Sequence, residues 1–597
     1  MSTAKPMSTD SVMKIGLAVL VIGLVVLGWV SAFLGELITP TGMPWTDFSA
    51  LWAKIKAGEF LWPGAATWIL IVLAVLALVG TGMLMAIFGG IKHRDDGLPR
   101  YKDLEKRMGK NAALAKAKQS LELPADATEE EMIVALCKLD GQMLYVQHED
   151  SMWVFAPQRS GKTLFLAVGI VLDAPGAVIA TFTKNDLPML TAVSRKRKGE
   201  VSVFDLQDIS GWDNKVRWNV IDGCEDPDEA LARGKTWAGA QPIGDVKNGD
   251  FFNSKAAAVL GRFLHAAALG GKSVDDIVKW TNNLSNTEPL DILRRHNAPA
   301  AFTSRLQALI SSRAGETVDS IQETLAGLLE PLSSPKAMYI LSPRKGEGFT
   351  MEKFLEKPNT LYLLTDGERS PVAPLVAMFA DFMFRKAQRI SQGAPGGRLW
   401  PVLTMVLDEA LNVAAIPDMA SALSDSGGRG IRIIGFSQSF AQNRQRWGAE
   451  AANAIRGTSS IRLFLPGLEE LDELDKIARA AGTTRHQRVS TSQGRNGSSR
   501  TTSEEERPVI RGYEIQQLPV GEAFMHYSNV APARVKLTPW WERPDADQIS
   551  KDKKAAQSLK EANAAEQYQQ NRLTEAAAAT NAADMESAAA GTRVDKS

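Results

Sequence analysis

The sequence predicts an α/β domain on a mostly parallel sheet, interrupted by an all-helical insertion and preceded by two membrane-length helices. Three observations carry this. Short apolar runs alternate with longer helical patterns from about Ile133 onward, the pattern of strands and crossover helices. Asp222 to Leu332 instead holds helical stretches such as Ala256 to Leu269 and Ser320 to Leu329, with few strand-like runs. Two long uncharged apolar runs lie near the N-terminus.

Those runs come first in the chain. Ile15 to Gly35 and Ala65 to Phe88 are each long enough as helices to cross a hydrocarbon core of roughly 30 Å. A cleaved signal peptide and buried core helices are the competing readings, but no small-residue cleavage site is obvious and a second run follows. Lys92, His93, Arg94, Arg100, Lys102, Lys106, Arg107 and Lys110 crowd the C-terminal flank. The positive-inside rule then places both the N-terminus and the large remainder in the cytoplasm. Trp45, Trp52 and Trp62 in the short loop between the runs read as interfacial anchors.

The 597 residues carry 68 basic and 68 acidic side chains, so any partner chosen by charge must be met by local patches. A simple basic nucleic-acid binder is disfavoured. Cys137 and Cys224 stand far apart, which argues against a disulfide framework or structural zinc site and suits a reducing cytosol. Seven strands are expected in the α/β part: Trp153 to Phe155, Ala177 to Phe182, Val201 to Asp205, Thr360 to Thr365, Leu403 to Leu407, Ile431 to Phe436 and Ile461 to Leu465. Their Val, Ile, Leu and Phe content suits strands covered on both faces. Thr483 to Glu506 reads as a mobile loop or long hairpin tip. The tail over 544–597, rich in Ala, Gln and charge, reads as disorder or a marginal exposed helix.

The first strand runs into Ala156, Pro157, Gln158, Arg159, Ser160, Gly161, Lys162 and Thr163, followed by a helical pattern. A phosphate-binding loop needs this context, because a helix N-terminus offers unpaired N–H groups and positive partial charge to phosphates. Lys162 would reach the β- and γ-phosphates and Thr163 would hold Mg²⁺. Ala156 stands where the usual pattern has glycine, at little cost if the backbone there has no positive φ. The run WPVLTMVLDEALN leaves a strand at Asp408 and Glu409. An acid in that place binds Mg²⁺ and a following glutamate polarises the attacking water; a helix N-terminus complemented by acids is the bland alternative. Gln438, ending the next strand, is placed to sense a γ-phosphate or else to cap a helix. Arg429 and Arg432 precede that strand, and Arg429 is placed as a finger for a neighbouring subunit or as a solvated loop arginine. The SRKRKG cluster, Ser194 to Gly199, is a possible phosphate-backbone contact or a solvated turn.

Together these blocks resemble the type IV secretion coupling proteins, the membrane-anchored ring ATPases of bacterial conjugation. The resemblance runs to about Arg543 and is most specific over VLDEALNVAAIPDMASALSDSGGRGIRIIGFSQSFAQNRQRWG. It implies a RecA-like P-loop NTPase fold over 96–221 and 333–543, an inserted all-alpha domain over 222–332, and a membrane anchor over 1–95. It further implies ATP and Mg²⁺, a homo-hexamer at the inner membrane, and as partners a relaxase with single-stranded DNA and the secretion channel proteins. By resemblance Lys162, Thr163, Asp408, Glu409 and Gln438 take the phosphate, magnesium, catalytic-water and sensor roles. Three departures stand out: Ala156, Phe182 where relatives often carry aspartate, and Arg429 inside the glycine-rich pre-sensor loop instead of before it. A chromosome-segregation type double-stranded DNA translocase and a nucleotide-ordered recruiting platform are the alternative readings.

Overall fold

The computed structural model describes residues 9–89, 97–120, 124, 126–240, 249–344, 346–366, 370–408, 416, 418–494, 497–566 and 569. The chain forms two compact units, Met1–Asp95 and Asp96–Ser597.

In the first unit both apolar runs are helical, within Thr9–Ile38 and Gly64–Gly89. Between them Asp47 caps the short helix Phe48–Lys56 by accepting from the N–H groups of Ser49 and Ala50. Most side chains of the first helix before 25, and of the second after 76, lie outside the described set. Among the described residues no helix is long and apolar enough to cross a membrane. Of the three expected anchors, Trp52 and Trp62 are exposed, but Trp45 is buried. Its ring meets Phe60 and Trp62 edge-on, and its indole N–H donates to Glu36.

The second unit is built on β1 (Ile133–Leu139), β2 (Gln142–Gln147), β3 (Met152–Phe155), β4 (Val178–Phe182), β5 (Val201–Phe204), β6 (Thr360–Leu364), β7 (Leu403–Leu407), β8 (Ile431–Ser437), β9 (Ile461–Phe464), β10 (Thr483–Gly494), β11 (Gly497–Pro508), β12 (Glu522–Tyr527) and β13 (Val530–Lys536). Eleven of these form one sheet in the order β2-β1-β13-β12-β9-β3-β8-β7-β4-β6-β5. From β9 to β5 the pairings are parallel, and these are the seven expected strands. The other four extend the sheet antiparallel beyond β9.

Alternation explains why the parallel strands read as continuous apolar runs. Trp153, Phe155, Ile179, Leu361, Met405 and Ile433 point into one core. Met152, Val154, Val178, Ala180, Tyr362, Val406 and Ile434 point into the other, so neither face meets water. Each Val, Leu, Ile, Phe or Met among them contributes about 1.5–3 kcal/mol by burial.

Between β5 and β6 the described chain is helical, with Pro227–Gly239, Gly249–Gly270, Val274–Asn282, Glu288–Arg295, Ala300–Ile310 and Gly315–Leu329 in turn. Its apolar side chains share one core with a face of the sheet. A buried ion network joins it to the helix Ala373–Gly393. Arg385 bonds Glu229 at 2.6 Å and Asp381 at 2.9 Å, and Arg233 holds the other oxygen of Glu229 at 2.9 Å. Burial pushes the Asp381 carboxyl above its ordinary range despite Arg385 beside it.

For two segments the structure decides between the readings left open, and residues 570–597 of the tail lie outside the described residues. Thr483 to Glu506 belongs to the β10–β11 hairpin, whose strands pair from Thr483↔Pro508 to Gly494↔Gly497. The tail, expected to be disordered or marginal, forms a helix over 546–566. Ile549 and Ala556, seven apart and so on one helical face, are fully buried, and Asp552 pairs with Arg197. This helix is stabilised by docking, which its alanine-rich composition does not reveal.

Candidate nucleotide site

Residues 156–163 leave β3 at the carboxyl ends of the parallel strands and lead into a helix. Ala156 continues the ladder, its N–H donating to the Ser437 carbonyl at 2.8 Å. It is fully buried and is not among the positive-φ residues, so its methyl group stands where a side chain is tolerated. The left-handed positions are Arg159, φ 63°, and Gly161, φ 85°. Gly161 is constrained twice, because a Cβ there would also lie 2.5 Å from the Phe165 ring. Ser160 Oγ donates to the Pro157 carbonyl at 2.7 Å and closes the loop. The first helical turn is wide: the N–H of Val168 reaches the carbonyl of Thr163, five residues back.

Lys162 Nζ stands 2.8 Å from Asp408 Oδ1, with 14% and 13% of the two side chains exposed. The contact is ionic; that oxygen is buried and takes no well-directed hydrogen bond. Asp408 sits just past the end of β7, and its carbonyl accepts from Thr181 Oγ1 on β4 at 2.7 Å. Strand β8 lies between β3 and β7, so Gln438, just past its end, falls between the loop and the acid. Gln158 Nε2 reaches Gln438 Oε1 at 3.5 Å, the long limit of a hydrogen bond. Gln438 does not cap the next helix: Ser439 does, accepting from the Gln442 N–H at 3.1 Å.

Residues 106–574 match the family described as type IV secretory system conjugative DNA transfer. The chain belongs to that family. It is similar to two conjugal transfer proteins TraG of Escherichia coli, 23% identical over 415 residues and 21% over 412. Each comparison takes in 64% of this chain and 64% of the relative, so the chain spans under two thirds of the length of these curated relatives. Its fold is similar to that of the bacterial conjugative coupling protein TrwBdeltaN70 in its unbound monoclinic form. There the TM-score is 0.52 at 15% identity, over 71% of this chain and 91% of that one. TrwB in complex with ADP and Mg²⁺ matches equally, with TM-score 0.52, 15% identity and the same coverage.

In this conjugative-transfer family member the structure brings Lys162, Asp408, Gln158 and Gln438 together. Glu409 lies outside the described residues. Arg429 is not brought to the site of its own chain. It precedes β8, whose seven residues span about 20 Å and put it at the far end of the sheet from Gln438. There it pairs with Asp425 one helical turn earlier. Arg432 is buried on β8 opposite Thr404, and burial lowers its pKa to about 10. The SRKRKG cluster is largely structural. Arg195 is fully buried and donates to Thr360 Oγ1 and to the carbonyls of Ala174, Gly176 and Pro358. Lys198 donates to the Leu172 carbonyl at 2.8 Å, and Arg197 pairs with Asp552.

Two positioning residues escaped the sequence reading. Thr181 is the one just met, a hydroxyl inside the apolar strand VIATF. The other is Trp153, whose indole N–H donates to Ser437 Oγ at 2.8 Å and so fixes the residue before Gln438. Gly435 makes this possible, since a Cβ there would lie 2.3 Å from the indole. A polar residue in a buried strand was the available signal for Thr181; nothing local marked Trp153.

A magnesium ion fits these donors. Asp408 Oδ1, paired with Lys162 but without a well-directed hydrogen bond, is a buried hard oxygen beside a loop that ends in the hydroxyl of Thr163. Among the described residues no cluster of three or more His, Cys, Asp or Glu could hold a metal alone. Mg²⁺ itself takes one or two protein ligands and completes its shell with water and phosphate oxygens.

Proposed function

We propose that this chain is a membrane-anchored ATPase that assembles as a hexamer at the bacterial inner membrane. It hands a relaxase-bound single DNA strand to a type IV secretion channel and drives transfer by ATP hydrolysis. The observation that supports the reading best is the meeting of Lys162 and Asp408 beside Gln438, in a chain of the conjugative DNA transfer family. The backbone of Ala156 to Thr163 cradles the phosphates, and Lys162 leaves Asp408 to bind the β- and γ-oxygens. Thr163 and Asp408 would hold Mg²⁺, which would supply neutralisation of phosphate charge. Glu409 orients and polarises the attacking water, and Gln438 senses the γ-phosphate. Arg429, remote from its own loop, serves the site of a neighbouring subunit. On this reading the uncharged runs Ile15 to Gly35 and Ala65 to Phe88, whose side chains lie partly outside the described residues, cross the membrane twice and leave the N-terminus and the large remainder in the cytoplasm.

ATP hydrolysis by the purified protein, with and without single-stranded DNA, tests this. Turnover should rise with DNA and disappear in Lys162→Ala. Turnover insensitive to both changes would remove the motor.

A further inference from the structure

One aromatic side chain beside the phosphate loop has no part in the chemistry above. Trp541 lies in the short turn Trp540–Glu542 and keeps 48% of its surface exposed. Its ring meets Phe165 edge-on, with centroids 5.5 Å apart at 72°. Phe165 lies directly on the loop, as the 2.5 Å approach to a Cβ at Gly161 shows. A second backbone presses the same ring: a Cβ on Gly521 would come 2.9 Å from its Cε1. Val520, the neighbour of Gly521, is 66% exposed. The exposed Trp541 indole therefore forms an apolar shelf beside the phosphate loop, with Phe165 as the spacer and the Gly521 turn against the same ring.

The shelf is held rigidly. Arg543, two residues past Trp541, makes a two-pronged pair with Asp173 at 2.7 and 2.9 Å. Asp173 ends the helix that the phosphate loop opens. The N–H of Leu537 donates to the Gly521 carbonyl at 2.8 Å and ties the Trp541 segment to the Val520 turn. The turn is thus anchored to the helix behind the loop on one side and to the start of β12 on the other. Fixing a half-exposed indole costs free energy that solvent exposure does not return, but a stacked ring does.

We propose that Trp541 is the base subsite of the nucleotide site and takes a purine ring by stacking. This rests on the nucleotide reading above. Phosphates seated on residues 156–163 leave the base within one molecule's length, and the half-exposed Trp541 indole stands one ring away from that loop. Stacking favours the larger purine face over a pyrimidine without reading its edge.

The test measures affinities of the full-length protein for Mg²⁺ with ATP, CTP or inorganic tripolyphosphate, by calorimetry. Trp541→Ala should weaken ATP about 5- to 100-fold, the range expected for one stacked base. It should weaken CTP less and leave tripolyphosphate unchanged, and Trp541→Phe should recover most of the ATP affinity. If Trp541→Ala leaves ATP unchanged while Lys162→Ala weakens both ATP and tripolyphosphate, the base subsite is overturned and the nucleotide site stands. Equal weakening of ATP and tripolyphosphate by Trp541→Ala also overturns it, because the indole then acts through Phe165 on the loop. If Lys162→Ala changes neither ligand, the nucleotide reading itself fails.

Discussion

Replacing Asp408 by asparagine separates two roles that the Lys162–Asp408 contact combines. At 2.8 Å, with both side chains mostly buried, the charges attract by about 6 kcal/mol at an effective dielectric near 20. Desolvation of both groups offsets most of that. Incoming phosphates must still draw Lys162 away from Asp408. Asp408→Asn lowers that cost, so ATP in EDTA should bind at least as tightly as to the parent. The gain in affinity on adding Mg²⁺ should instead shrink about 10- to 100-fold, the size expected when a group that orients the metal is lost. That equals about 1.4–2.8 kcal/mol. Calorimetric titration of ATP with and without Mg²⁺, together with phosphate release, reads both quantities. If Asp408→Asn weakens ATP equally with and without Mg²⁺, the carboxylate shapes the loop and does not serve the metal.

Other expectations follow from single contacts. Thr181→Val removes the donor to the buried Asp408 carbonyl and should cost about 1–3 kcal/mol of stability, with phosphate release falling while ATP affinity in EDTA holds. Ala156→Gly should leave ATP affinity within about twofold and lower stability by about 0.5–1 kcal/mol, because no positive φ there rewards glycine; tighter binding would show strain at the loop entry. Burial, with nearby Arg432, lowers the pKa of His148 to about 3, and burial with Arg462 lowers that of His526 to about 4. Unfolded histidines gain protons below about pH 6.5 while these buried ones stay neutral, so stability is lost as pH falls from 6.5 toward 3–4. At pH 5 each histidine accounts for up to about 2 kcal/mol. Thermal melts at pH 7, 6 and 5 should show a falling midpoint, and a flat profile would contradict the assignment.

Local composition and spacing were enough for the parallel strands, because strands covered on both faces must be continuously apolar, as in VIATF and LTMVL. The same spacing put residues 156–163 at the end of β3 and Asp408 just past the end of β7, where the structure has them. The helical character between β5 and β6 was legible for the same reason, since helices carry their own period.

Other features exist only through partners distant in sequence. Strand β13, VAPARVK, interrupts its apolar pattern with a proline and two cations, and gains its place only by pairing with β12 and β1. The helix over 546–566 looked like a solvated tail until Asp552 met Arg197, 355 residues away. That same contact pairs one cation of the SRKRKG cluster within the fold. Thr181 and Asp408 lie 227 residues apart, and Trp153 and Ser437 lie 284 apart. Residue types and periods report local geometry and burial. Which hydroxyl fixes the acid, which loop residue carries the positive φ, and which arginines are spent in the core depend on the order of strands in the sheet, which is a property of long-range pairing.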